Sequence, residues 1–138
     1  MVAASVLCSS LLLASIFGTP SRPGGRRGVK LGEEFKLGAG KSAAVKGEGL
    51  EIEFVAVAED SRCPQGVDCI WEGNAKVRLR LKRARRPPVE IELNTNVEPK
   101  RAAAGGYEVR LTNLAPYPKG SQPVDKKSYV ASLEVRKA

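Results

Sequence analysis

The sequence predicts an all-β domain folded as a two-sheet sandwich. From Glu33 onward, apolar residues alternate with polar ones at strand spacing, and clusters of Gly, Pro and Asn separate the alternating runs. No run in this part of the chain has helical periodicity. Strands that are apolar on one face must hide that face against a second sheet. About seven such strands suit an immunoglobulin-like topology, with a small barrel as the alternative.

Seven runs carry the alternation, and they are residues 35–37, 42–45, 50–56, 75–82, 89–93, 107–112 and 129–135. The third run shows the pattern well, since Leu50, Ile52 and Phe54 share one face and glutamates occupy the other. Side chains of a strand point alternately to its two faces, so each run presents one apolar face to the predicted core.

The first residues predict an export segment. Residues 2–17 are apolar or small, and this run is shorter than the roughly 20 residues of a spanning helix. We therefore expect a signal peptide or an N-terminal anchor at residues 1–18, although no Lys or Arg precedes the apolar run. Cys8 is a candidate for lipidation, but Leu7 stands where lipoproteins have a small residue. We expect Cys8 to leave with the removed segment.

Residues 19–32 are rich in Gly, Pro, Arg and Ser and lack apolar periodicity. This composition predicts a flexible linker. The folded domain is then expected to span residues 33–138, with the membrane reached only through a retained or lipidated leader.

The composition excludes several kinds of catalytic and metal site. The chain has no His, the commonest general base near neutral pH and the commonest metal ligand. Ser-His-Asp triads, Cys-His pairs and His-based zinc sites are therefore excluded. Two cysteines in the folded part cannot build a four-cysteine zinc site. No Gly-rich phosphate loop or nucleophile elbow is present, and we expect neither an enzyme nor a cofactor.

Cys63 and Cys69 predict a disulfide that staples one loop. Pro64 and Gly66 between them help the chain to fold back. The chain-entropy model gives such a short loop about 2 kcal/mol of stabilisation. A redox-active pair is the alternative, but such pairs have closer spacing at a helix start. A structural disulfide indicates an oxidising compartment, so we expect a secreted, periplasmic or envelope-associated protein.

The residues beside the disulfide are the main candidates for a site. We expect Trp71, the only Trp of the chain, to pack in the core near the disulfide, with a ligand platform as the alternative. Candidate partner-binding residues at this end of the sandwich are Arg62, Trp71 and Tyr117. Carboxylates nearby make a weak candidate for a calcium site, in a spacing that matches no known calcium loop: Asp60, Asp68 and Glu72.

The motif around the cysteines supports export. The segments 60–64, 66–67, 69–71 and Gly73 resemble a family of small uncharacterised bacterial secreted proteins and lipoproteins with a D-S-R-C-P-x-x-V-x-C-x-W-x-G type motif. The similarity extends from about Phe35 to the C-terminus. It implies an exported β-domain and no particular reaction. The chain departs from the lipoprotein members because it lacks a good lipidation site.

Seven of the eleven residues from Lys76 to Arg86 are Lys or Arg, in a chain of net charge +8. We expect an antiparallel hairpin that places these bases opposite Glu90 and Glu92. Three arginines at its tip then lack a partner: Arg83, Arg85 and Arg86. A solvated sheet face is the expected role, and an anionic wall polymer or lipopolysaccharide is the alternative ligand. Nucleic acid is not expected, since no aromatic residues are interleaved with the charges.

These observations predict an exported, monomeric, non-catalytic module that binds an unknown protein or an anionic envelope component. One alternative is a protease-inhibitor-like domain that presents a rigid disulfide loop. The other is a binder of anionic polymers or lipid surfaces that uses the basic hairpin.

Overall fold

The computed structural model describes Gly18 and residues 27–138. Cys8, most of the predicted leader at 1–18 and the linker as far as residue 26 lie outside the described residues. The described chain contains one 3-10 turn, Lys126–Ser128, and the strands β1 Arg27–Val29, β2 Phe35–Gly38, β3 Ser42–Val45, β4 Leu50–Asp60, β5 Ala75–Arg83, β6 Val89–Asn94, β7 Arg101–Ala104, β8 Tyr107–Ala115 and β9 Val130–Lys137. In this part of the chain, no helix is both long enough and apolar enough to cross a membrane.

The strands form two sheets, as the alternation predicts. The first sheet has the order β1-β3-β4-β5-β6 and the second has the order β2-β9-β8-β7. All pairs are antiparallel except β1 with β3. The all-β prediction is confirmed, and the seven alternating runs fall on β2 to β6, β8 and β9.

Two strands were not predicted from the sequence. β7 is Arg-Ala-Ala-Ala, which has no apolar–polar alternation and is rich in a weak strand former. β1 lies inside the stretch predicted to be a linker, yet it pairs with β3 and buries Val29. The backbone N–H of Gly32 also donates to Val135 O at 2.8 Å. The ordered fold therefore includes residues 27–32, and not only the residues from Glu33 onward.

The core lies between the sheets and is built from alternate residues of each strand. The first sheet contributes residues such as Phe54 and Leu79, and the second contributes residues such as Val109 and Leu133, all fully buried. At residues 50–54 of β4 and 75–82 of β5 the inward positions are buried and the outward ones carry charge. The period of two that predicts the strands is therefore also the period of burial.

Loops gather at two ends of this sandwich. We call the end that carries the β4–β5, β6–β7 and β8–β9 connections the loop end. The opposite end carries the β3–β4, β5–β6 and β7–β8 connections and is called the hairpin end. The disulfide lies at the loop end and the Arg-rich turn lies at the hairpin end.

Candidate functional site

The predicted disulfide is present in the β4–β5 connection. Cys63 and Cys69 are bonded, and their Cα atoms are 6.0 Å apart. The bond closes one loop and joins no second strand, which confirms the predicted pairing. A disulfide is consistent with an oxidising compartment.

The base of the disulfide loop is a narrow two-stranded stem. Ser61 N donates to Asn74 O, and Cys63 N donates to Glu72 O, both at 2.7 Å. Gly73 makes this stem possible because its φ is +72° and an added Cβ would lie 1.8 Å from Ser61 O. Any side chain at this position would be strained by the positive φ and would clash with the backbone of Ser61.

Arg62 ties the loop to the rest of the loop end. Its Nε and Nη2 donate to the two carboxylate oxygens of Asp60, each at 2.8 Å. Its Nη1 donates to Leu114 O at 2.6 Å, and its Nη2 also donates to Pro116 O at 2.8 Å. The side chain is 0% exposed. Arg62, a candidate for partner binding from the sequence, is placed by the structure as an internal clamp between two loops.

The ionisation of this cluster follows from its contacts. Burial raises the pKa of Asp60, but the hydrogen bonds from Arg62 and Tyr129 outweigh burial and hold this pKa below its usual range. The Tyr129 hydroxyl donates to Asp60 Oδ2 at 2.8 Å. Burial and this hydrogen bond together raise the pKa of Tyr129 to about 12. At neutral pH the cluster is therefore a buried ion pair supported by a neutral phenol.

Tyr117 joins the segment after β8 to the disulfide loop. Its ring centroid lies 4.5 Å from Arg62 Cζ, in a cation–π contact. One residue further on, Pro118 O accepts a hydrogen bond from Gln65 N at 3.0 Å. The disulfide loop and residues 115–119 therefore form one continuous surface.

Trp71 lies on that surface and not in the core. Its exposed fraction is 60%, so the predicted packing across the disulfide is wrong. Trp71 belongs to the part of the loop beyond the stem, since the last stem hydrogen bond joins Cys63 and Glu72. Ile70 is fully exposed, and Val67 and Tyr117 are exposed as well. We call these four residues the apolar loop cluster.

A buried amide network supports the stem from the other side. Asn74 Nδ2 donates to Asn94 Oδ1 at 2.9 Å, and Asn96 Nδ2 donates to Gly73 O at 2.8 Å. Asn96 N also donates to Asn74 Oδ1 at 3.1 Å. These residues were not predicted as part of the site from the sequence. A usable signal was Asn-Thr-Asn at the end of a predicted strand, where turn-forming residues bond backbone groups.

The calcium candidates do not converge. Both carboxylate oxygens of Asp60 are engaged by Arg62, and Tyr129 donates a further hydrogen bond. Over residues 27–138, no three or more side chains of the types His, Cys, Asp and Glu are arranged to hold a metal ion. Asp68 and Glu72 are instead exposed beside the apolar loop cluster.

The basic hairpin pairs as predicted along its strands. Arg78 lies opposite Glu92 and Arg80 lies opposite Glu90. Arg80 Nη2 is 2.6 Å from Glu90 Oε1, and Lys82 Nζ is 2.6 Å from Glu53 Oε2. The hydrogen bond from Lys82 holds the pKa of Glu53 below its usual range. Most of these bases therefore have acidic neighbours.

The sequence predicts that Arg83 is unpaired at the hairpin tip, but in the structure it has two partners. Its Nη1 donates to Gly105 O at 2.8 Å, and its Cζ lies 5.4 Å from the ring centroid of Tyr107. It thus links the two sheets at the hairpin end. Arg85 and Arg86 remain exposed in the turn.

Comparison of the chain with models of protein families, with curated proteins and with solved structures gives no match. The resemblance to secreted proteins and lipoproteins with the cysteine motif stays a prediction.

Proposed function

We propose that this chain is an exported, non-catalytic binding module that contacts another protein through the apolar loop cluster. One observation carries the proposal: Ile70 and Trp71 stand exposed on a loop whose base is held by a disulfide and by the buried Arg62 clamp. A rigid loop loses little conformational freedom when it binds. Trp and Tyr are also the residues that most often dominate binding energy at protein interfaces.

The charges around the apolar loop cluster indicate which kind of partner it fits. Asp68 and Glu72 flank Trp71 and are exposed. Their negative charge opposes contact with an anionic membrane surface or wall polymer. The complementary surface is an apolar pocket with a basic rim on another protein.

Export and monomeric state belong to the same proposal. The disulfide supports an extracytoplasmic location, and the apolar residues at the N-terminus support a leader. An immunoglobulin-like arrangement of the two sheets stays a prediction from the number and size of the strands.

A protease-inhibitor-like role is the second candidate, and the clamped loop favours it. The loop is held on one side by the stem and on the other by the bond from Gln65 N to Pro118 O. A loop fixed in this way fits the need of an inhibitor for a preformed contact. Stoichiometric inhibition of any member of a protease panel by the pure protein would favour this role. Binding of an anionic ligand by the basic hairpin is less supported, because Arg83 already bonds Gly105 O within the domain.

The proposal is tested with matched apolar variants. Envelope and medium proteins of the native host are captured on the wild-type protein, on Trp71→Ala and on Val89→Ala. Val89 is exposed at the opposite end of the sandwich. We expect a species that wild type and Val89→Ala retain and that Trp71→Ala loses. Once this species is purified, Trp71→Ala should weaken its Kd by about 30-fold, as expected of an aromatic hot spot.

Equal retention by all three proteins, each shown by circular dichroism to be folded, would contradict the proposal. Retention that is lost only after Arg85→Ser and Arg86→Ser would move the contact to the basic hairpin.

A further inference from the structure

Two arginines lie directly opposite each other on the outer face of the second sheet. Arg101 on β7 is the register partner of Arg110 on β8, and both side chains are exposed. Residues paired in this way have Cβ atoms about 4.5–5.5 Å apart, and like charges there are destabilising. The pair lies on the sheet opposite the one that carries the basic hairpin.

Of the acids near this pair, Glu134 and Glu98 are engaged elsewhere, and Glu108 lines a smaller cleft together with both arginines. Glu134 is the register partner of Arg110 on β9, but its carboxylate pairs with Nε of Arg136. Glu98 Oε2 accepts the backbone N–H of Lys100 at 3.1 Å. Within residues 27–138, neither Arg101 nor Arg110 forms a salt bridge or a side-chain hydrogen bond. The N–H donors of the two exposed guanidinium groups are therefore not used by other described side chains.

The same residues line an open cleft. The cleft has a volume of about 290 Å³ and is lined by Glu98, Lys100, Arg101 and Arg110. Its charged groups sum to three positive and one negative. Guanidinium groups present parallel N–H donors that match the oxygens of phosphate or sulfate, and the bonds formed are charge-assisted.

We propose that Lys100, Arg101 and Arg110 form a binding site for a tetrahedral oxyanion, the phosphate or sulfate group of a larger anionic ligand. A bound group with two negative charges would neutralise the repulsion between the arginines. This site is independent of the apolar loop cluster, and neither proposal needs the other.

The test compares the Tm of the wild type and of arginine variants with and without phosphate. In buffer without multivalent anions, Arg110→Gln should have a Tm at least equal to that of the wild type, because it removes a like-charge pair. Inorganic phosphate should raise the Tm of the wild type through binding to the folded state and should raise that of Arg110→Gln much less. Arg85→Gln, which removes an exposed arginine at the hairpin tip, should respond like the wild type.

Binding is measured in parallel by NMR of the arginine side-chain N–H groups in the full chain. Phosphate should shift the Arg101 and Arg110 signals saturably, with a Kd near the millimolar range that rises about tenfold in Arg101→Gln or Arg110→Gln, a change of about 1.4 kcal/mol. Sulfate at equal ionic strength distinguishes a sulfate site from a phosphate site by its Kd. Equal shifts at every exposed arginine, or an equal response to acetate, would show general screening and overturn the proposal.

Discussion

Arg62 Nη1 lies 2.6 Å from the carbonyl oxygen of Leu114, 52 residues further along the chain. This bond joins the β4–β5 connection to the end of β8, and so joins the two sheets at the loop end. Because the guanidinium also holds Asp60 through two bonds of 2.8 Å, one buried side chain determines the position of two loops. The apolar loop cluster is exposed on top of this clamp.

Replacement of Arg62 should strongly destabilise the domain. Arg62→Ala leaves the buried Asp60 carboxylate unpaired and two carbonyl groups without their donor, and breaking a buried pair costs about 3–5 kcal/mol. Arg62→Lys should recover only part of this loss, since one ammonium cannot reproduce the fork. Urea unfolding measures the free energy of unfolding, with the exposed Arg85→Ala as the control. A loss below about 1 kcal/mol in Arg62→Ala would contradict the clamp.

Acid should weaken the wild-type domain partly through Asp60. The pKa of Asp60 is lowered in the folded state, so the unfolded chain takes up the proton first as the pH falls. The stabilisation is present above the unfolded pKa of about 3.9 and is lost as the pH falls through the folded pKa. Asp60→Asn should be less stable than the wild type at neutral pH, and the two unfolding free energies should converge in acid. If the unfolding free energies of the two proteins differed by the same amount at every pH in this range, the lowered pKa of Asp60 would be contradicted.

Alkali should weaken the domain through Tyr129. Its pKa is raised from 10.0 to about 12 in the folded state, so stability is complete below the unfolded pKa and is lost as the pH rises through the folded one. Tyr129→Phe should lose about 1 kcal/mol at neutral pH with its hydrogen bond, and it should lack this alkaline step. Tyrosinate absorbance and urea unfolding follow the change. The hydrogen bond to Glu48 also raises the pKa of Tyr107. The wild type and Tyr129→Phe share this contribution, so it cancels in the comparison.

Two glycines of the disulfide loop should respond differently to substitution. Gly73→Ala places a Cβ 1.8 Å from Ser61 O in addition to its positive φ. Gly66 has φ +79°, yet nothing lies within 4 Å of its added Cβ. We expect Gly66→Ala to cost about 1–2 kcal/mol of left-handed backbone strain. Gly73→Ala should cost clearly more, because the stem must open. Equal losses by thermal unfolding would show that the stem adjusts freely.

The disulfide should hold the loop more than the fold. The double variant Cys63→Ser with Cys69→Ser should lose about 2 kcal/mol by the chain-entropy model, since the core between the sheets includes neither cysteine. Intact mass of the protein from its host, with and without reduction before alkylation, should show two thiols only after reduction. Two thiols without reduction would place the chain in a reducing compartment.

Several features were predictable because they depend on neighbours in the chain. The period-two alternation predicts the strands β2 to β6, β8 and β9, and the six-residue separation of Cys63 and Cys69 predicts the staple. The pairing of Arg80 with Glu90 also follows, because a short hairpin determines which residues face each other.

Only the tertiary structure decided which residues of the site are inside and which are outside. Arg62 is buried because it reaches Leu114 O at the end of a strand in the other sheet. Arg83 is engaged because it bonds Gly105 O, 22 residues further along the chain. Trp71 is exposed in the loop beyond the stem, and contacts of Gly73 and of the Asn74 side chain hold that stem. The sequence by itself determined local periodicity and the loop closure. The roles of these side chains required contacts between distant segments, which no local pattern encodes.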